Sequence, residues 1–185
     1  MIEELIDDAR RRMDRSVEAA QQEFNTVRTG RASAALLDRI AIDYYGTATP
    51  LKQLATINVP EPRLLTIQPF DPSSIKGIER ALMESDLGLT PANDGKLIRL
   101  PIPQLTEERR KELVRVVRHL AEEGRIAVRN VRRDVMHDLK ELVRDGEVGD
   151  DEERRAEERV QKLTDEHVHR IDDLLKRKEA EIMEV

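Results

Sequence analysis

Thr106-Glu107-Glu108-Arg109-Arg110-Lys111 opens a stretch that runs without proline to Leu142-Val143-Arg144-Asp145. Pro101-Ile102-Pro103 breaks the chain just before it. Thr106 offers an N-cap hydroxyl, and Glu107 and Glu108 suit the positive end of a helix dipole. Apolar or small residues then recur at Leu113, Val117, Leu120, Gly124, Val128, Val131, Val135, Leu139 and Leu142. This is an 11-residue repeat of about 3.67 residues per turn, the period of a long, nearly straight helix with one buried stripe. At about 1.5 Å per residue, about 40 residues make a rod of roughly 60 Å.

The flanks repeat the pattern. Residues 2–28 place Ile2, Ile6, Ala9, Met13, Val17, Ala20, Phe24 and Val27 in the same phase. This first helix is expected to end at Thr29-Gly30-Arg31, with Gly30 left-handed at its C-terminus. After Gly146-Glu147-Val148-Gly149-Asp150, a third helix from about Asp151 carries Ala156, Val160, Leu163, His167, Ile171, Leu174, Lys178 and Ile182. Three helices with one shared phase predict an antiparallel three-helix bundle formed by residues 1–30 and 105–185. The shorter first helix is expected to run out opposite about Arg132 and Arg133, leaving a two-helix tip.

Residues 31–104 differ. All eight prolines lie between 50 and 103. Short β-type runs appear at Ile40–Tyr45, Ala55–Val59, Leu64–Gln68 and Lys96–Leu100, with a helical pattern from Ser74 to Glu84 whose face is Ile75, Ile78, Leu82 and Met83. Asn93-Asp94-Gly95 signals a tight turn before the last run. The fold class is therefore α+β: a long bundle with a small inserted α+β domain. Two short connections join the parts, Thr29-Gly30-Arg31 and Pro103-Gln104-Leu105-Thr106, and make a natural hinge.

Composition closes several routes. Aromatics are 2% of the 185 residues, only Phe24, Tyr44, Tyr45 and Phe70, and cysteine is absent. That excludes disulfides, thiolate catalysis and cysteine zinc sites. Four scattered aromatics are expected to offer no base-stacking platform. No run approaches a membrane span, and the acidic start Met1-Ile2-Glu3-Glu4 is unlike a secretory leader, so the expected location is the cytoplasm. Gly88 and Gly95-Lys96 do not form a phosphate-binding loop: the glycines are too far apart, and Leu97 stands where a hydroxyl would hold magnesium. His167 and His169 point in different directions on a helix, and His167 falls on the inner stripe. No catalytic grouping, metal set or cofactor motif is found.

The net charge of −6 argues against a generic nucleic-acid binder, but its distribution is polarised. From Arg115 to Arg133 six arginines face two acids, a local +4. Arg118, Arg125, Arg129 and Arg132 share one side of the helix, and Arg133 adjoins. Unpaired guanidinium forks on a rigid rod match phosphate oxygens. Spacing alone favours the plainer alternative, a solvated face paired with acids from the other helices, for which Asp7, Asp8 and Glu158 are available.

Several blocks together resemble bacterial ribosome recycling factors. They are Thr29-Gly30-Arg31-Ala32-Ser33, Tyr44-Tyr45-Gly46-Thr47 with Pro50-Leu51-Lys52-Gln53-Leu54-Ala55, Ser85-Asp86-Leu87-Gly88-Leu89, Ile98-Arg99-Leu100-Pro101 with Leu105-Thr106-Glu107-Glu108-Arg109-Arg110, and Val128-Arg129-Asn130-Val131-Arg132-Arg133-Asp134. The resemblance covers essentially the whole chain. It implies an L-shaped pairing of a three-helix bundle with a β/α/β domain, and a monomeric, non-enzymatic factor. Its implied partners are the post-termination ribosome, mainly large-subunit RNA, and elongation factor G with GTP. The family contacts carry over to Arg129, Arg132 and Arg133, with Arg28 and Arg31 near the hinge. Gly124 is a departure, since a larger residue is more usual there. A helical scaffold assembling through its bundle face is the alternative of another class.

Overall fold

The computed structural model describes residues 1–184. They form two compact units, Met1–Thr29 with Glu107–Glu184, and Gly30–Thr106. The first consists of α1 (Ile2–Thr26), α4 (Glu107–Arg144) and α5 (Asp150–Met183). The second holds β1 (Ala41–Tyr44), β2 (Thr47–Pro50), α2 (Leu51–Leu54), β3 (Ala55–Glu61), β4 (Leu64–Pro69), α3 (Ile75–Glu84), β5 (Ala92–Asn93) and β6 (Ile98–Pro101). Among the described residues no helix is long and apolar enough to cross a membrane.

In the bundle the stripes face inward. Ile6, Ala9, Met13, Val17, Ala20 and Phe24 of α1 are buried against Leu113, Val117, Val128, Val131, Val135 and Leu139 of α4 and Val160, Leu163, Ile171 and Ile182 of α5. Ala121 is buried where Leu120 was expected, and Leu120 and Leu142 are half-buried. The two positions are neighbours on the helix, and the small one faces the crowded seam. The α4–α5 turn follows Schellman geometry: Gly146 has φ +74°, its N–H donates to the Val143 carbonyl, and the Glu147 N–H donates to the Leu142 carbonyl.

Pairs across the bundle fix its register. Arg12 meets Asp134 at 2.6 Å and Ala20 lies beside Gly124, so α1 runs antiparallel to α4 and its start lies near the end of α4. Glu3 takes both nitrogens of Arg159 at 2.6 and 3.0 Å, so α1 and α5 run parallel. The expected two-helix tip is thus at the wrong end. All three helices reach the α4–α5 turn, and it is the beginning of α4 and the end of α5 that run on past α1. The expectation set the end of α1 level with the start of α4; the same pairs instead set Thr26 level with about residues 118–120 of α4, and the chain is extended from Val27 onward, at ψ 117°. Gly30 does have φ +74°, but four residues beyond the helix.

Gly124 is the point of closest approach. A Cβ there would sit 3.1 Å from Ile171 Cδ1 and 3.2 Å from Ala20 Cβ. His167 is buried nearby in the chain of α5: its Nδ1 donates to the Leu163 carbonyl at 2.7 Å, and its Nε2 lies 2.7 Å from Asp14 of α1. Arg170 also donates to Asp14, at 2.8 Å. The His167 bond, opposed by burial and helped by Arg170, holds the Asp14 carboxyl below its ordinary value of 3.8.

In the small unit the sheet order is β3-β4-β6-β5, antiparallel throughout, with β1–β2 as a separate hairpin. Strand β2 follows directly on β1 through the two-residue turn Tyr45-Gly46, so the run Ile40–Tyr45 is one arm of a hairpin. Leu65, Ile67, Ile98 and Leu100 alternate inward and pack with Ile75, Ile78 and Leu82 of α3. Met83, expected on that face, is 56% exposed because Ile75, Ile78 and Leu82 already complete the buried stripe. Asp94 accepts from the Lys96 and Leu97 amides and shapes the turn into β6.

Two measurements check this packing. Gly124→Ala should be no more stable than wild type, even though alanine favours a helix by about 1 kcal/mol over glycine, because Ala20 Cβ can move only with its backbone. In denaturant unfolding, the Ala20→Gly/Gly124→Ala cycle should show a favourable coupling of at least about 0.5 kcal/mol; an additive cycle would mean the helices do not meet there. Asp14→Asn should lower the melting temperature at neutral pH. A depressed carboxyl contributes stability above its unfolded value and loses it as pH falls through its folded value. The gap between the two melting curves should therefore shrink below about pH 3.8, and a gap constant down to about pH 2 would contradict the Asp14 assignment.

Candidate nucleic-acid interface

Helix α4 holds the arginine row along the flank of its buried stripe, on the side that borders α5, with Arg133 turned further outward. Its neighbours divide the row in two. Arg118 donates to Glu179 of α5 at 2.7 Å. Arg125, only 20% exposed, meets Asp172 of α5 at 2.7 Å and Glu122 at 2.9 Å. Burial works against the Arg125 charge, but the bonds to Asp172 and Glu122 outweigh it, and its proton is held more tightly than usual. These two charges are spent on joining α4 to α5. The acids are not those expected from the sequence: Asp8 pairs with Arg11, and Asp172 and Glu179 take the arginines instead.

The other three are less committed. Among the described residues Arg129 reaches only Glu122, at 3.5 Å. Arg132 donates to the neutral amide oxygen of Gln161 at 3.0 Å, and Arg133 bonds Asn130. Neither Arg132 nor Arg133 has a carboxylate partner among the described residues. Asp134, the adjacent acid, is turned to Arg12 of α1 and does not neutralise the face.

Around these arginines a shallow groove of about 620 Å³ runs along α4, lined by Ile126, Arg129, Asn130, Arg132, Arg133, Met136, His137 and Lys140. Guanidinium and ammonium groups border a floor that includes Ile126 and Met136. Such a surface can grip phosphate oxygens while an apolar strip meets sugar or base faces. Asn130, Met136, His137 and Lys140 were not picked from the sequence. They stand three, four or seven residues from Arg129 and Arg133, so helical spacing could have found them; the acids at 134 and 138 masked the face as a charge boundary.

The remaining predicted residues lie elsewhere. Arg28 is exposed after α1 in the first unit, and Arg31 is exposed in the second. Gly30 lies against Leu105, where a Cβ would meet Leu105 Cγ at 3.1 Å. The Ala32 amide donates to the Pro62 carbonyl at 2.7 Å and the Ile102 amide to the Arg63 carbonyl at 2.8 Å, so both ends of the small unit are anchored at its β3–β4 turn. Thr29 is half-buried, and Gln104 and Thr106 are exposed.

A three-helix bundle with three lightly committed arginines on its long helix, interrupted by a small antiparallel sheet unit, describes a class of helical factor suited to phosphate-rich partners. The comparisons narrow the class. The profile of the ribosome recycling factor family matches residues 20–183, and the chain belongs to this family. It is 62% identical over 180 residues to the ribosome-recycling factor of Rubrobacter xylanophilus, with 97% of each chain covered. It is 54% identical over 185 residues to that of Bacillus subtilis, covering all of both. Its fold is similar to the solution structure of a ribosome recycling factor, with a TM-score of 0.78, 43% identity, and 100% of this chain and 98% of the other covered. A second similar structure is that of the T. thermophilus ribosome recycling factor, bound with E. coli elongation factor G to the E. coli post-termination complex. There the TM-score is 0.67 and the identity 45%, with full coverage of both chains.

The division of the row predicts opposite variants. Arg125→Ala should lower bundle stability by about 1 kcal/mol, through loss of its half-exposed ion pairs and of the packing of its stem, and Arg133→Ala should stay within about 0.5 kcal/mol of wild type. Thermal melts of the two compare them directly; equal losses would mean that the arginines are not divided in this way.

Proposed function

We propose that this chain recycles ribosomes: as a monomer in the cytoplasm it docks on the post-termination ribosome and, with elongation factor G and GTP, drives the subunits apart and frees the messenger. Arg129, Arg132 and Arg133 grip phosphates of large-subunit RNA, with Arg28 and Arg31 as lesser contacts. Arg118 and Arg125 contribute by holding the rod's shape. The observation that carries this assignment is the absence of carboxylate partners at Arg132 and Arg133, among the described residues, in an otherwise acidic, heavily ion-paired protein. The chain itself does no chemistry in this scheme. It works by binding and by movement, with the nucleotide turned over by the elongation factor.

Movement would be absorbed where the chain passes between the units, at Thr29-Gly30-Arg31 and Gln104-Leu105-Thr106. The anchored amides of Ala32 and Ile102 leave these short segments as the places for dihedral change. Gly30 at φ +74° supports this, because other residues rarely adopt that conformation.

Sedimentation of ribosomes with the protein, elongation factor G and GTP tests the scheme. The Arg129/Arg132/Arg133 triple alanine variant should bind ribosomes more weakly, and the salt dependence of log K should flatten by about 0.7–0.9 for each lost phosphate contact. Unchanged affinity would sink the arginine assignment. Gly30→Ala, strained at positive φ and crowded by Leu105, should bind ribosomes normally yet split them slowly. Normal splitting by the folded variant would remove the hinge role.

A further inference from the structure

His167 stands on the inward stripe of α5, where the neighbouring turns place apolar residues, and its side chain is only 5% exposed. Each of its ring nitrogens faces an acceptor. The Leu163 carbonyl, one turn back on the same helix, lies 2.7 Å from Nδ1. Oδ1 of Asp14, on α1, lies 2.7 Å from Nε2.

A neutral imidazole carries one hydrogen and cannot satisfy both neighbours. With that hydrogen on Nδ1, the Nε2 lone pair points at a carboxylate oxygen. With it on Nε2, the Nδ1 lone pair points at the Leu163 carbonyl. Either arrangement sets electron pairs against each other in a place shielded from water, where an unmet polar contact is costly. The ring could stay neutral only by leaving the second proton on Asp14. Arg170 opposes that, since it donates to the same Oδ1 at 2.8 Å. The Asp14 carboxyl is held below its ordinary value chiefly by His167, with burial opposing and Arg170 assisting, so it is an anion.

The surroundings suit a buried cation that can still exchange its proton. Helix α4 turns only uncharged residues inward, Gly124 and Val128 among them, and offers no competing charge. On α1, Arg10 and Glu18 lie one turn to either side of Asp14, and both are exposed. On α5, Arg170 is taken up by Asp14, and Glu166 is exposed. A groove of about 450 Å³ opens beside the site between α1 and α5, with Val17, Gln21, Arg170 and Leu174 in its lining. The Asp14 side chain is 43% exposed, so water reaches the carboxylate.

We propose that His167 is an imidazolium at neutral pH and that its proton works a clasp between α1 and α5. Charged, the ring fastens Asp14 of α1 to the backbone of α5. Neutral, it turns a lone pair on one of the two, and the seam loosens. The α4–α5 seam is not proton-dependent in this way, because Arg118 and Arg125 fasten it and a guanidinium keeps its charge. Alkaline conditions therefore loosen α1 ahead of the other two helices.

Isotope-labelled full-length protein, without ribosomes, tests this. In proton–nitrogen correlation spectra at about pH 8, both His167 ring nitrogens should carry hydrogen, although an imidazole free in water gives up its second proton near about 6.5. Asp14→Asn should return the ring to one hydrogen, because the anion that holds the second is gone. In denaturant unfolding, the folding equilibrium constant of wild type should fall relative to His167→Gln by about tenfold for each pH unit above about 6.5. The folded chain keeps a proton that the unfolded chain releases, so raising the pH favours unfolding until the folded ring releases it too. A single hydrogen on the wild-type ring at about pH 8, an Asp14→Asn ring that keeps both, or a ratio that does not move with pH would each overturn the proposal. The spectra of wild type decide the matter even where His167→Gln fails to fold.

Discussion

Burial of one narrow stripe along α4 between α1 and α5 is the constraint on which the rest depends. A helix of 38 residues has too little propensity of its own to stay a straight rod in water. It is kept straight because Leu113, Val117, Ala121, Gly124, Val128, Val131, Val135 and Leu139 are covered continuously by two neighbours. Gly124 sets how closely those neighbours approach. A residue poor for helix formation is retained because Ala20 and Ile171 occupy the space its side chain would need. What the family resemblance marks as a departure is, in packing terms, an adjustment of the seam.

Because the stripe is narrow, most of α4 faces outward, and the partners available there decide what each charge does. Where α5 supplies Glu179 and Asp172, arginine becomes a fastening. Where α5 supplies Gln161, a neutral amide, the arginine is left able to meet an anion. Which arginines are neutralised thus follows from small differences in the sequence of a neighbouring helix rather than from anything in α4.

The bundle was legible because its signal is long. A stripe of 11-residue period survives a one-residue error, as at Leu120 and Ala121, and three stripes in one phase leave few ways to pack. The end of α1 was not legible, since Val27 continues the apolar pattern after the helix has stopped; the unpaired stretch was set at the wrong end because no local pattern records that α1 meets α4 at Arg12–Asp134 and Ala20–Gly124. In the small unit, β2 was hidden because Thr47-Ala48-Thr49-Pro50 carries no apolar alternation and exists only by pairing with β1. The arginines were visible as residues but not as two groups. Which of them is neutralised depends on contacts between residues 47 and 61 positions apart, and no local pattern records those. The meeting of His167 with Asp14 across 153 residues escaped for the same reason.

The central claim, that a missing carboxylate opposite Arg132 leaves the long helix free to hold RNA, is tested most directly by supplying one. Gln161→Glu removes no arginine and sits on α5, outside the groove. Its affinity for purified ribosomes should be measured across a salt series beside wild type. The account predicts weaker binding and a shallower salt slope in a bundle that still folds, because Arg132 would then be held as Arg125 is held by Asp172; the lost Gln161 bond to Asp165 is a small local cost that a thermal melt measures separately. Wild-type affinity and slope in a folded Gln161→Glu protein would contradict it.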